Sequence, residues 1–196
     1  MFHVDRRVHI PRPSTENLVT MTLDFLRNPR DEVRELETGV IGVARILRPS
    51  HKVKTVVDVC TGSGCIAVTI ALERPDLDVL ALDISEDALQ VVVQNARRLA
   101  GDHVRCIASD LLAGLPSDIG EFVIVSNPPY LSKAMITLQP DIQWEPHIAL
   151  DGGKDGSEIP CKLFEQARNH PRCVGLVMEC LASHYADVYS QSATAI

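Results

Sequence analysis

The sequence has few aromatic residues and no excess of positive charge. Only 4% of its 196 residues are Phe, Trp or Tyr, and 19 Lys and Arg stand against 26 Asp and Glu, a formal net charge of -7. This balance argues against sequence-blind nucleic-acid binding, which depends on neutralising phosphates. No apolar run approaches the roughly 20 residues that cross a bilayer, and residues 1–12 lack the apolar segment of a secretory signal. We expect a cytoplasmic protein without membrane contact.

Cysteine occurs six times but never in the paired C-x-x-C spacing that marks many zinc sites. Cys60, Cys65, Cys106 and Cys180 lie in or beside apolar segments. Reduced, mostly buried thiols are the expected state of such residues in a cytoplasmic protein. The sequence also shows no histidine–carboxylate cluster, so no metal site is expected.

What the sequence does contain is an alternation of strand and helix signals, in a length typical of one domain. Strands are predicted at residues 54–60, 78–84, 103–108, 121–126 and 173–180, and helices at 13–26, 31–47, 65–73, 85–99, 162–169 and 183–190. Repeated strand–helix–strand units form a mainly parallel sheet with helices on both faces, an α/β fold. Residues 1–50 are then a helical lead-in, and residues 51–196 are the core.

The polar residues that suggest chemistry follow four of the predicted strands. They are residues 58–64, Asp83, Asp110 and residues 127–130. In an open parallel sheet, ligands bind beyond the carboxyl ends of the strands. Gly62 and Gly64 allow close backbone approach to a ligand, and Asp83 follows 19 residues after Gly64, about the spacing of an acid that binds ribose hydroxyls.

The most specific element is Asn127-Pro-Pro-Tyr130. Two prolines after a strand cannot continue a hydrogen-bonded ladder, so they form a rigid loop that fixes the asparagine. The Asn127 amide offers an acceptor, and with the Pro128 carbonyl it suits the two N–H bonds of a planar NH2 group. Tyr130 is placed to cover the flat face of that group.

Three stretches together resemble class I S-adenosylmethionine-dependent methyltransferases, which have a Rossmann-like fold. They are residues 56–64 (VVDVCTGSG), 81–85 (ALDIS) and 125–130 (VSNPPY). Residues 10–16 (IPRPSTE) and 145–153 (EPHIALDGG) narrow the resemblance to the HemK/PrmC-like protein-(glutamine-N5) methyltransferases. That family methylates a glutamine in the Gly-Gly-Gln loop of peptide chain release factors.

The resemblance implies a role for each matching residue. Cofactor contacts fall on Asp58, Cys60, Thr61, Gly62, Ser63, Gly64, Asp83, Ile84, Asp110, Leu111 and Asn127. The loop meets the methionine part of S-adenosylmethionine, Asp83 the ribose and Ile84 the adenine. Asn127 and Pro128 grip the glutamine amide, and Tyr130 shapes the acceptor pocket. Cys60 stands where the family usually has a glycine.

The resemblance also implies what this chain lacks. Family members carry an N-terminal helical domain and usually close their sheet with two more strands, whereas 16 residues follow Cys180 here. The terminal strands are therefore expected to be missing, leaving about five strands and an exposed sheet edge. Either the chain is a fragment, or a partner or second copy covers that edge. Two other functions stay open: methylation of an amino group on a nucleic-acid base, and a degenerate domain that only binds.

Overall fold

The computed structural model describes residues 1–50 and 53–189. In this part of the chain the strands are Glu32–Glu37 (β1), Val40–Ile46 (β2), Thr55–Val59 (β3), Asp78–Asp83 (β4), Val104–Ala108 (β5), Phe122–Ser126 (β6) and Cys173–Leu181 (β7). The helices are Pro13–Arg27 (α1), Cys65–Glu73 (α2), Glu86–Leu99 (α3), Lys133–Leu138 (α4), Glu158–Asn169 (α5) and Tyr185–Tyr189 (α6). The predicted helix at 183–190 starts as a 3-10 turn, Ala182–His184, and its last residue lies outside the described residues.

Five adjacent strands of the sheet are parallel to one another, as the sequence predicts. The sheet order is β1-β2-β7-β6-β3-β4-β5. β3 lies between β4 and β6 and pairs in parallel with both, and β5 and β7 extend the parallel part on either side. All five residues of β3 and of β6 are buried, which is the pattern of strands covered on both faces.

The predicted helix at residues 31–47 is wrong, because these residues form an antiparallel β1–β2 hairpin. Gly39 has φ +80° at the turn, a backbone conformation that ends a helix and suits a hairpin. Val40, Ile41 and Val43 are β-branched and favour a strand. Gly42 is equally required, since a Cβ there would lie 2.7 Å from the Met21 sulfur of α1.

The expected count of five strands with β7 at an exposed edge is also wrong, since the described sheet has seven strands and β7 lies inside it. β2 pairs antiparallel with β7 along its whole length, from Val40 opposite Leu181 to Ile46 opposite Gly175. The outer strand is now β1, whose alternating charges make it a poor template for further pairing. The hairpin thus removes the reason for expecting a second copy at that edge.

Helices cover both faces of the sheet and build two cores. On one face, Leu18 and Phe25 of α1 pack with residues of α2 and α3, including Ile70 and Val92. On the other face, Leu163 of α5 packs with the apolar residues of α6 and of the facing strands. Among residues 1–50 and 53–189, no helix combines the length and the apolar composition that spanning a membrane requires.

Candidate functional site

A cavity of about 780 Å³ opens at the carboxyl ends of β3, β4, β5 and β6. Residues from all four predicted strand ends line it, as the parallel topology requires. They are Cys60, Thr61, Gly62, Ser63, Asp83, Ile84, Asp110, Leu111, Asn127, Pro128 and Tyr130. The structure therefore brings together most of the predicted site in one place.

The loop after β3 is held from behind by a buried carboxylate. Asp58 accepts hydrogen bonds from the Thr61 hydroxyl at 2.6 Å and the Ala67 backbone N–H at 3.1 Å. Asp58 is fully buried and does not line the cavity, and neither does Gly64. Both residues shape the loop and the start of α2, but neither contributes to the surface of the cavity.

Cys60 has a left-handed backbone conformation, which favours glycine. Its φ is 59°, in the left-handed region, which costs an ordinary residue about 1–2 kcal/mol. Burial raises the pKa of its thiol well above the usual range, so the group stays protonated. Cys60 therefore adds no thiolate to the cavity.

Asp83 ties the first two strand ends together. Its two oxygens accept from the backbone N–H groups of Gly62 and Ser85, each at 2.9 Å. Ser85 in turn caps α3 by accepting from the Ala88 N–H at 3.2 Å. Burial raises the pKa of the Asp83 carboxyl, and these backbone donors oppose that rise. The carboxylate is thus fixed at the cavity wall while its residue stays partly exposed.

Asp110 and Leu111 form the third wall. Asp110 is exposed and pairs with Lys162 at 3.1 Å, a surface ion pair that contributes little to stability. Leu111 is buried, with φ 50°. Ile84, at the end of β4, leaves 57% of its surface exposed, so a flat apolar group has two aliphatic side chains to contact here.

The Asn127–Tyr130 loop forms the opposite end of the cavity and is held by neighbours on several sides. Just before it, the Ser126 hydroxyl donates to the Val59 carbonyl at 2.7 Å. The Tyr130 hydroxyl donates to Glu179 on β7 at 2.7 Å, and the Asn127 Nδ2 lies 3.5 Å from the Thr15 hydroxyl of α1. Sheet and helix together therefore fix the side chains of Asn127 and Tyr130.

The glycine-rich segment after the loop packs directly on its backbone. Gly152 donates to the Leu131 carbonyl at 2.9 Å. A Cβ on Gly152 would lie 2.7 Å from the Pro129 carbonyl oxygen and 2.7 Å from the Tyr130 Cα. These are backbone atoms that cannot rotate away, so only glycine fits while the loop keeps its place.

Replacing Gly152 by Ala is therefore expected to displace the loop. We expect the free energy of unfolding to fall by about 1–3 kcal/mol, the usual cost of overpacking, with acceptor binding weakened more than cofactor binding. Gly120→Ala is the matched control, because nothing lies within 4 Å of its Cβ position. Chemical denaturation of both variants checks this, and equal stabilities would contradict the close contact.

A buried cluster that the sequence did not predict joins the N-terminal segment to this region. The Glu145 carboxylate, with 2% of its side chain exposed, pairs with His9 and with Arg12. It also accepts from the Ile10 backbone N–H at 3.2 Å. Burial lowers the pKa of His9. His9 and Arg12 line the cavity, so Glu145 fixes two of its wall residues.

Two buried carboxyls near the site have strongly shifted pKa values. Burial raises the pKa of Asp58 to about 7, and it raises that of Glu179 to about 7 as well. Neither residue exposes any of its surface. Because both pKa values lie above those of an unfolded chain, the native state holds protons between about pH 4 and pH 7 that the unfolded state has lost.

Stability is therefore expected to fall as the pH rises through that window. Each carboxyl contributes stability that is present below about pH 4 and is lost by about pH 7, on the order of 3 kcal/mol. Glu179→Gln should remove the pH-dependent contribution of Glu179. Between pH 5 and pH 8, the free energy of unfolding of the variant should therefore rise relative to that of the wild type. Urea denaturation at both pH values measures this, and parallel pH profiles would contradict the assignment.

Comparison with known proteins shows the family to which the chain belongs. The family model described as methyltransferase small domain matches residues 38–144. The release factor glutamine methyltransferase of Bacillus subtilis is 43% identical over 84% of this chain and 51% of its own length. The ribosomal protein uL3 glutamine methyltransferase of Bordetella pertussis is 34% identical over 90% of this chain and 53% of its own length.

The chain thus spans about half the length of these curated relatives. Among solved structures, the catalytic domain of hMettl16 aligns with 80% of this chain and 51% of its own, at a TM-score of 0.53 and 12% identity, which supports the fold alone. The residues matched by the family model include the hairpin turn, the loop after β3 (residues 60–64), Asp83 and the Asn127–Tyr130 loop. Since that match covers more than half of the chain, the protein belongs to the methyltransferase small domain family.

Proposed function

We propose that this chain is an S-adenosylmethionine-dependent N-methyltransferase that acts on the side-chain amide of a glutamine. The observation that carries the proposal is one cavity with two unlike ends. One end has the Cys60–Ser63 loop and the Asp83 carboxylate, and the other has the rigid Asn127–Tyr130 loop. The relatives from Bacillus subtilis and Bordetella pertussis are both named glutamine methyltransferases, which supports an amide acceptor.

The cavity fits the proposed cofactor in size and in the chemistry of its walls. Its volume of about 780 Å³ is within the range of sites for small ligands and cofactors. Asp83 presents a carboxylate suited to ribose hydroxyls, and Ile84 and Leu111 present apolar surface suited to adenine. Cys60 to Ser63 would hold the methionine part, with Asp58 and Gly64 shaping them from behind. When bound, S-adenosylmethionine supplies an electrophilic methyl group on a sulfonium.

The acceptor end supplies orientation. An amide nitrogen is a poor nucleophile, because its lone pair is delocalised into the carbonyl. The Asn127 Oδ1 and the Pro128 carbonyl oxygen would accept hydrogen bonds from the two N–H groups of the substrate amide. These two hydrogen bonds fix the plane of the amide and therefore the direction of the nitrogen lone pair. Holding reacting groups in such geometry supplies up to about 7–11 kcal/mol of a barrier. Tyr130 closes one side of the cavity and limits access of water.

A peptide chain release factor is the proposed protein substrate, with its Gly-Gly-Gln loop entering the cavity. The names of the relatives from Bacillus subtilis and Clostridium acetobutylicum support a release factor, and the Bordetella pertussis relative makes ribosomal protein uL3 the competing substrate. A release factor places the reaction in the cytoplasm, where translation terminates. The net charge of -7 disfavours nucleic acid as the substrate.

Transfer of a labelled methyl group tests the proposal. The purified chain is incubated with methyl-labelled S-adenosylmethionine and with release factor, uL3, tRNA or duplex DNA. We expect label on the release factor, removed when the glutamine of its Gly-Gly-Gln loop is replaced by Glu. Label on nucleic acid would overturn the proposal in favour of base methylation. Cofactor binding without transfer to any acceptor would favour a domain that only binds.

A further inference from the structure

A buried carboxylate lies directly behind the acceptor end of the cavity. Glu179 is near the end of β7, opposite Gly42 of β2, and exposes none of its surface. It does not line the cavity. Because an unpaired buried carboxylate is costly, its neighbours are expected to be hydrogen-bond donors.

The donors around Glu179 come from the two elements that frame the acceptor end. The Tyr130 hydroxyl donates to Oε1 at 2.7 Å, and the Ser14 hydroxyl of α1 donates to the same oxygen at 3.3 Å. Among the described residues, Oε2 has no hydrogen-bond partner within 3.5 Å although it is buried. The carboxylate therefore retains capacity for one more donor.

The Asn127 amide is a polar neighbour of this carboxyl group, at the acceptor end of the cavity. It makes no hydrogen bond with Glu179 within 3.5 Å, but its proximity is one of the causes that lower the pKa of Glu179 against the effect of burial. The Nδ2 of Asn127 also lies 3.5 Å from the Thr15 hydroxyl oxygen, on the same side. An asparagine amide has a donor end and an acceptor end that are nearly identical in shape, so its neighbours decide which end points where.

We propose that Glu179 is a positioning residue that orients the Asn127 amide and thereby selects the acceptor. With the oxygens of Glu179 and Thr15 behind it, Nδ2 points into the protein and Oδ1 points into the cavity. The cavity then presents an oxygen that accepts from a substrate NH2 group and rejects a carboxylate. The inference rests on the proposed function for the identity of the substrate, but the orientation itself is a property of the free protein.

The orientation is tested first without any substrate. Side-chain NH2 signals are recorded on the 15N-labelled chain at pH 8, where Glu179 is ionised, and Asn127→Ala identifies the Asn127 pair by its loss. We expect these protons to exchange with water at least tenfold more slowly than those of the exposed Asn28. Glu179→Gln should shift the pair and remove most of that protection, because glutamine can donate towards the Asn127 oxygen. Unchanged signals in Glu179→Gln would overturn the inference.

Selectivity supplies the second measurement. Matched peptides with Gln or Glu at the acceptor position compete for the site at pH 8. We expect the wild type to prefer the Gln peptide by about a hundredfold and Glu179→Gln to narrow that ratio at least tenfold. Two control variants test other contributions near Glu179. Glu37→Gln removes a charge that lines the same cavity and acts on Glu179, and Tyr130→Phe removes only the hydroxyl contact. Both should lower the preference for the Gln peptide less than Glu179→Gln does.

The two possible failures are distinguishable. If the wild type binds no Gln peptide, the proposed function fails while the NH2 signals still decide the orientation of Asn127. If the wild type selects Gln and Glu179→Gln keeps the wild-type ratio, the positioning role fails and the proposed function stands. If Tyr130→Phe narrows the ratio as much as Glu179→Gln does, Glu179 acts only as an anchor for Tyr130, and the inference is overturned.

Discussion

Asn127→Ala is expected to lower methyl transfer about 10³-fold while cofactor binding stays within twofold of the wild type. The variant loses the Oδ1 acceptor for one substrate N–H, and the substrate amide is then free to rotate out of line. Removing one fixed hydrogen-bonding group at a reacting centre costs about 10²–10³ in turnover, and lost alignment adds to that. Turnover is measured with a Gln peptide, and cofactor affinity by calorimetry.

The cofactor measurement is the internal control for this variant. Asn127 lies at the acceptor end, and its side-chain amide hydrogen-bonds with Thr15, so its truncation leaves the Asp83 and Cys60–Ser63 contacts in place. A combined loss of turnover and cofactor affinity would indicate that the variant disturbs the whole cavity. Wild-type turnover would contradict the role of Asn127 in methyl transfer.

The two ends of the cavity are built from different parts of the fold, which is why such effects are separable. The cofactor end depends on β3, β4 and the first turns of α2 and α3, all close in sequence. The acceptor end depends on contacts between α1, β6, β7 and residues 145–156, which come from both ends of the chain. Damage to the acceptor end is therefore expected to spare the cofactor end.

This division also explains what the sequence predicted. The parallel strands and the residues at their carboxyl ends could be predicted, because β-branched runs, glycine turns and Asp83 are local signals. The helix predicted at residues 85–99 is confirmed as α3, with Ser85 as its cap. Local patterns carry this information because one strand and the turn after it lie within about ten residues.

The hairpin and the buried acids could not be predicted in the same way. Residues 31–47 carry apolar spacing that suits a helix. They form strands because β2 pairs with β7, which lies about 130 to 140 residues further along the chain. The partners of Glu145 and Glu179 in residues 9–14 are likewise more than 130 residues distant. Trp144 leaves 72% of its surface exposed, with Arg6 over its ring, and no local pattern indicates this contact.

Asp83→Ala is expected to weaken cofactor binding about 10³-fold and to leave the acceptor loop intact. The carboxylate accepts two backbone N–H bonds, from Gly62 and Ser85, and its truncation releases the loop as well as removing the partner of the ribose. Hydrogen bonds to a charged group contribute about 1.5–3 kcal/mol each, and a tenfold change in affinity corresponds to about 1.4 kcal/mol. The loss of two hydrogen bonds to the carboxylate therefore accounts for a change in cofactor affinity of about 10³-fold.

Asp78→Ala is the matched control, because Asp78 begins the same strand at the opposite end of the sheet, where it is exposed. We expect its cofactor affinity to equal that of the wild type. Asp83→Asn separates the two roles of the carboxylate, since an amide keeps one acceptor oxygen and loses the charge. An affinity between those of the wild type and Asp83→Ala is expected for it. If Asp83→Ala bound the cofactor normally, the ribose contact and the assignment of this end of the cavity would both be wrong.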